Sequence, residues 1–220
     1  MCGRYTLTNP SDLAARFGLG AITETRLEPR FNIAPAQLVP IVVEGQEGRA
    51  LELMRWGFRP AWMKDLRQPP PINARAETLL DRPLFRGSVR RNRCIIPASG
   101  FYEWQTVPGA KLKQPWYFRG KDAGLLGFAG FSAHDADGQN TFLIITTKAN
   151  ELLAPIHDRM PAILNSEGES IWLDRGTETL EALAYLRPYP AEEMEGFSVS
   201  RAVNDPRDEG ADLIEPIALR

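Results

Sequence analysis

The residues with the most chemistry to offer stand at the start of the chain, Met1-Cys2-Gly3-Arg4. Cys2 has a side chain small enough for cellular aminopeptidase to trim Met1, and the mature chain would then begin with cysteine. That places a primary α-amine and a thiol on adjacent carbons, a 1,2-aminothiol that no internal cysteine can present. With pKa values of roughly 7.7–8.0 for the amine and roughly 8.5 for the thiol, both nucleophiles are partly available near neutral pH. Toward an aldehyde the amine forms a Schiff base, as catalytic lysines do. The thiol can then close onto the imine carbon to give a five-membered thiazolidine. The plain alternative is a chance cysteine in a loosely ordered terminus.

Further along, Glu103 lies in the aromatic run Gly100-Phe101-Tyr102-Glu103-Trp104. Desolvation there would raise its pKa and suit it to proton transfer near neutrality, whereas on the open face of an alternating strand it would be an ordinary carboxylate. His157, followed by Asp158 and Arg159, carries the side chain most readily used as acid or base at pH 7, or else one satisfied by local backbone. Asn73 and Arg75 follow the rigid Pro69-Pro70-Pro71. Arg75 could clamp an anion. Asn73 could hold an oxygen or an amine, and as a helix N-cap it fits the pattern equally well. Trp62, in a loop beside Pro60, is the stacking candidate for an unpaired base, and Trp56 reads as core.

The elements that must position these residues are mostly strands. Gly3–Leu7, Val39–Val43, Ala50–Trp56, Cys94–Pro97, Gly100–Gln105, Pro115–Arg119, Leu125–Ser132, Thr141–Thr147 and Gly196–Val203 read as strands separated by polar turns. Helices are expected after Asn9-Pro10, at Asn73–Thr78, Pro83–Asn92, Ser166–Leu173 and Thr177–Tyr185. The stretch before Phe31 and the tail before Leu213 read as irregular. Without β-α-β alternation, a phosphate loop or a repeat, the pattern indicates α+β with a mainly antiparallel, barrel-like sheet and flanking short helices, in one domain over 1–220.

A chain of 220 residues can bury a sizeable core, and its composition is ordinary for a globular protein. Two cysteines imply no disulfide framework, and the reading is of a cytoplasmic protein with no membrane span. Two histidines and two distant cysteines offer no zinc-type spacing, so neither metal nor cofactor is expected. The net charge of −2 is not that of a dedicated nucleic-acid binder, yet Arg82, Arg86, Arg90, Arg91 and Arg93 crowd one stretch. That stretch is either a phosphate-binding face or a solvated helix face.

Seven motifs, from Met1-Cys2-Gly3-Arg4-Tyr5 through Phe31-Asn32-Ile33-Ala34-Pro35, Trp56-Gly57-Phe58, Ile72-Asn73-Ala74-Arg75-Ala76-Glu77-Thr78, Gly100-Phe101-Tyr102-Glu103-Trp104 and Ile156-His157-Asp158-Arg159-Met160-Pro161 to Val199-Ser200-Arg201-Ala202-Val203-Asn204, occur in one order. In that order they resemble the SRAP (SOS response-associated peptidase) family across essentially the whole chain. The resemblance implies a sensor and shield of abasic sites in single-stranded DNA, including sites at duplex junctions. Cys2 would crosslink to the ring-opened deoxyribose, and Asn73 would position the sugar and the N-terminus. Glu103 would shuttle protons, and His157 would serve imine chemistry and crosslink reversal. Arg4 and Arg75 would contact phosphates, with Gly3, Trp62, Met63 and Thr146 lining the DNA path of a protein that acts as a monomer. Self-removal of Met1 and a weak AP-lyase side activity are further expectations. One departure stands out, because a bacterial member of the family has two adjacent tryptophans where this chain has Trp62-Met63.

Two readings from other classes compete. An N-terminal-nucleophile peptidase or amidohydrolase would attack an amide with Cys2. A noncovalent single-strand binder would leave Cys2 dispensable.

Overall fold

Apolar runs of alternating or continuous hydrophobicity become strands because strands alone hide both of their faces in short lengths. The computed structural model describes residues 2–20, 27–63 and 67–218. Among them the strands are β1 (Tyr5–Leu7), β2 (Arg30–Ile33), β3 (Leu38–Gly45), β4 (Gly48–Trp56), β5 (Asn73–Arg75), β6 (Arg93–Ala98) and β7 (Gly100–Gln105). They continue with β8 (Gln114–Gly120), β9 (Leu126–His134), β10 (Asn140–Lys148), β11 (Arg159–Pro161), β12 (Ile163–Leu164) and β13 (Met194–Ser198). Short helices flank them: α1 (Leu13–Phe17), α2 (Pro83–Arg91), α3 (Ser166–Leu173) and α4 (Thr179–Leu183).

The strands form a five-stranded sheet, β13-β8-β7-β1-β2, and a larger one running β11-β10-β4-β3-β6-β9-β12. In the larger sheet β9 also pairs with β10, so the ladder β10-β4-β3-β6-β9 returns on itself. That leaves few open edges in the middle of the fold and makes it barrel-like. Pairing is antiparallel except where β10 meets β4 and β5. The α+β class, mainly antiparallel with short helices, is the architecture expected from the sequence.

The core lies between the two sheets. Phe101 stacks on Phe118 at 5.5 Å and meets Phe128 edge-on at 5.8 Å, while Tyr5 packs against Trp56 at 5.3 Å. Two-residue alternation then decides the outer face of β7, where Tyr102 joins Tyr117, Val199, Val203 and Leu213 in a second cluster. The C-terminal segment thus covers the small sheet. Trp56 is fully buried, as read, and Cys94 is a core residue. α3 is pinned by Trp172, whose Nε1 donates to the carbonyls of Cys94 (3.0 Å) and Gly130 (3.1 Å), and by the Arg16–Glu169 ion pair at 2.7 Å.

Four expectations need correction. Asn73–Arg75 is a strand, not a helix start, because Asn73, Ala74 and Arg75 pair with Ile144, Ile145 and Thr146. Residues 30–33 pair with β1 instead of remaining irregular. The final strand ends at Ser198, since the Ser200 hydroxyl accepts from Ala202 N–H and turns the chain into a 3-10 helix at Arg201–Asn204; a further 3-10 turn spans Ala211–Ile214. The helix expected over Thr177–Tyr185 is confined to α4.

Gly130 sits where a Cβ would collide with the Leu143 carbonyl and the Ile96 side chain. We expect Gly130→Ala to destabilise the fold by about 2 kcal/mol or more through this overpacking, read as a lowered urea midpoint.

Candidate active site

The start of the chain is laid onto β7 by backbone pairing. Tyr5 and Thr6 register with Phe101 and Gly100, and the Tyr102 N–H donates to the Arg4 carbonyl at 3.0 Å. Continuing that line carries Cys2 toward Glu103, the next residue of β7. Both are buried, Cys2 completely and Glu103 at 2% exposure. Glu103 shares its face of β7 with Phe101, so alternation aims it into the main core and not at solvent.

From the other sheet, β5 delivers Asn73, whose Nδ2 donates to the Cys2 carbonyl at 2.9 Å. Its Oδ1 is buried with no hydrogen-bond partner among the described residues, an acceptor aimed beside Cys2. Asn73 therefore holds the terminal segment, and the N-cap role is absent. β5 is itself held by β10, where the buried Thr146 hydroxyl donates to the Ala74 carbonyl at 3.3 Å.

His157 arrives on the turn before β11. The Arg159 N–H donates to its Nδ1 at 3.0 Å, which assigns the proton of the neutral ring to Nε2. The Asp158 carboxylate lies 3.1 Å from the same nitrogen. Burial pulls the His157 pKa below its ordinary value, with Asp158 opposing and the Lys113 charge reinforcing the shift. The turn is tied to β7 by Gln105 Nε2 donating to the Pro155 carbonyl at 3.5 Å.

These surroundings set the electrostatics. Burial pushes the Glu103 carboxyl up to about 7, against the Trp104 N–H and the Lys113 charge. Burial, reinforced by Glu103, pushes the Cys2 thiol far up, so it is held as a neutral S–H. Cys2, Asn73 and Glu103 are thus brought together from three separate parts of the chain, and His157 comes from a fourth, on the turn tied to β7.

The remaining expected contacts are spread more widely. Arg75 is exposed, and its guanidinium has no partner among the described residues. Arg4 is half-buried, with Nη1 donating to Asn32 Oδ1 (2.9 Å) and the Val203 carbonyl (2.7 Å). Gly3 bridges Cys2 and Arg4 and is partly exposed. Thr146 lies beneath the site as a brace. Trp62, 61% exposed, and the half-buried Met63 sit on a loop at the opposite end of β10, where the Ala61 N–H donates to the His134 carbonyl at 2.8 Å. Met1 lies outside the described residues.

Two supports escaped the sequence reading. Asn32, fully buried, accepts from Arg4 and donates through Nδ2 to the carbonyls of Asp205 and Asp208, both at 2.9 Å, joining the two ends of the chain. Arg159 makes a bidentate pair with Glu77 at 2.8 and 2.9 Å and also donates to the Thr146 carbonyl. Both lie inside the quoted motifs, but nothing in a motif says which distant carbonyl a side chain will meet.

The family profile described as SOS response associated peptidase (SRAP) matches residues 1–206. The chain belongs to the SRAP family. Among SRAP relatives, the abasic site processing protein YoqW of Bacillus subtilis is 39% identical, covering 98% of this chain and 99% of its own length. The abasic site processing protein YedK of Escherichia coli is 31% identical over 99% of this chain and 100% of its own. The chicken (Gallus gallus) abasic site processing protein HMCES is 31% identical over 90% of this chain and 69% of its own. A solved protein of Bacteroides thetaiotaomicron superposes with a TM-score of 0.85 at 27% identity, covering 99% of this chain and all of that one.

The Glu103 carboxyl binds its proton more tightly in the fold than in the unfolded chain, where its pKa is the ordinary 4.5. Its raised pKa therefore lowers stability progressively as pH rises from 4.5 through about 7, and not below. We expect Glu103→Gln to be more stable than the parent at pH 8 by on the order of 3 kcal/mol, with the gap closing in acid, measured by denaturant unfolding.

Proposed function

We propose that this SRAP protein processes abasic sites in DNA by forming a covalent thiazolidine between its N-terminal cysteine and the ring-opened sugar. The single observation that carries the reading is the burial of Cys2 beside Glu103 with Asn73 bonded to the Cys2 carbonyl. A crosslink in single-stranded DNA would shield the lesion until repair.

Removal of Met1 exposes the Cys2 α-amine. The amine adds to the C1′ aldehyde, giving a carbinolamine, and Glu103, holding its proton near pH 7, delivers it to the departing hydroxyl. Water leaves and the Schiff base forms. The Cys2 sulfur then bonds to the imine carbon, and the thiol proton passes through the Glu103 carboxylate to the nitrogen. Aldehyde and aminothiol have thus lost one water in all. Asn73 Oδ1 offers an acceptor to the amine or a sugar hydroxyl, and Asn73 Nδ2 keeps the backbone of Cys2 in place. His157, neutral with its proton on Nε2, is fit to exchange a proton with the imine nitrogen, the step needed for reversal. Arg75 supplies a cation for a flanking phosphate. β-Elimination from an imine that fails to close would give a weak lyase activity. A monomer suffices, since every residue invoked comes from one chain.

A peptidase needs a thiolate attacking an amide, and the dry setting of Cys2 disfavours that anion. The test is denaturing electrophoresis and intact mass after mixing the protein with a single-stranded oligonucleotide carrying one abasic site. We expect a heat-stable adduct with Met1 absent, lost in Cys2→Ala and absent with undamaged DNA. Glu103→Gln should form it about 100-fold or more slowly and lose a rate inflection near pH 7. No adduct from a chain lacking Met1, together with turnover of a small amide, would overturn the proposal in favour of a peptidase.

A further inference from the structure

The arginine-rich stretch 82–93 resolves into two kinds of residue. Arg93 is structural: it is buried, its Nε donates to the Trp172 carbonyl at 2.6 Å, and its Nη2 donates to the carbonyls of Asp174 and Thr177. The others form an open ridge. Arg82 stands at the N-cap of α2, Arg86 lies in its middle, and Arg90 and Arg91 lie in its last turn. All four are exposed, and none makes a guanidinium hydrogen bond or ion pair with any described residue. Residues 82–93 contain no carboxylate to neutralise them.

Helix stability accounts for part of this pattern only. Arg90 and Arg91 complement the C-terminal end of the helix dipole. Arg86 and Arg82 do not, since basic charge near an N-terminus is unfavourable there. On a chain of net charge −2, four unpaired guanidinium groups in succession concentrate positive potential on one edge of the molecule.

That edge adjoins the loop carrying Trp62. The loop 57–63 is packed between α2 and the lead-in to β5: Phe58 meets Phe85 of α2 at 6.0 Å, and its N–H donates to the Pro71 carbonyl at 2.9 Å. At the far end of α2, the Ser132 N–H donates to the Asn92 carbonyl at 2.9 Å, and two residues later the His134 carbonyl accepts from Ala61. Arg75, the Trp62 loop and the α2 ridge therefore follow one another on neighbouring segments. The cleft that Arg90 and Arg91 help to line is also lined by Glu44 and Glu52, the latter engaged by Asn140, so the exposed ridge and not the cleft is the basic surface.

We propose that the α2 ridge, through Arg82, Arg86, Arg90 and Arg91, binds the sugar-phosphate backbone of the undamaged nucleic-acid strand flanking the lesion, with Trp62 as a stacking face on the adjoining loop. The inference rests on DNA being the substrate and adds a contact surface remote from the reacting atoms. Exposed arginines without internal partners suit phosphates because guanidinium forks match phosphate oxygens, and an exposed indole is indifferent to base identity. Sequence-independent, salt-sensitive holding of the flank is the expected outcome.

The experiment compares the wild-type chain with Arg86→Gln/Arg90→Gln, two surface changes whose folding is checked by thermal unfolding. Noncovalent binding to a long undamaged single strand is measured over a salt series, and crosslinking is measured on a short abasic oligonucleotide too small to reach α2. The ridge predicts roughly 10-fold weaker binding of the long strand at low salt and a salt slope reduced by roughly 1.4, about 0.7 for each lost contact. Crosslinking of the short oligonucleotide should keep its wild-type rate. Unchanged affinity and slope on the long strand would overturn the proposal, and so would an equal loss on the short oligonucleotide, which would put the arginines at the active site. Failure of the wild-type chain to crosslink the short substrate would instead count against the covalent mechanism, leaving the long-strand arm to decide the ridge.

Discussion

The ladder between the start of the chain and β7 is the interaction on which the rest depends. β1 is only three residues long, yet it is an interior strand of the small sheet, paired with β7 on one side and β2 on the other. The pairing extends beyond the strand through the Arg4 carbonyl, and Arg4 is then anchored to Asn32 and Val203. A chain terminus normally frays because nothing holds its last backbone groups. Here backbone bonds and a buried network bring residue 2 to rest in the core, which is what an α-amine and thiol need if they are to meet a substrate in fixed geometry.

Burial does more than hold the site still. It raises the Glu103 carboxyl to the middle of the physiological range and keeps the Cys2 thiol protonated, while the same desolvation lowers the His157 pKa. One cause, exclusion of water, therefore shifts a carboxyl, a thiol and an imidazole alike toward their uncharged forms. The carboxyl's proton affinity is also a standing cost to the fold above neutrality, a common trade at sites built for proton transfer. The Glu77–Arg159 pair and the Thr146 brace stiffen the floor from beneath, through contacts of β5, β10 and β11.

The outer surface follows different rules. Arg4 and Arg93 lie close in type to Arg75 and Arg86, yet the first two end on protein carbonyls and the last two end in solvent. Arginines that end in solvent and arginines that end on carbonyls differ only in what the fold sets in front of them. Trp56 and Trp62 make the same contrast among indoles, one donating to the Ile72 carbonyl inside the core and one standing on a loop.

Much was legible in the residues alone. The cysteine at position 2, the aromatic setting of Glu103, most strand positions and the α+β class are legible in local pattern, because alternation and turn residues act over a few neighbours. Asn73 shows where that reasoning stops. Its sequence fits a helix cap, and it became a strand residue only because β10 offered it a partner from about 70 positions away in the chain. Likewise no pattern could reveal that Asn32 would gather carbonyls from residues 205 and 208, or that Arg4 would face Val203. The sequence by itself determined which chemical groups the protein has and which segments are apolar. Only the tertiary structure decided which of them meet and which of them lose their water, since pairing register and burial are set by residues far apart in the chain.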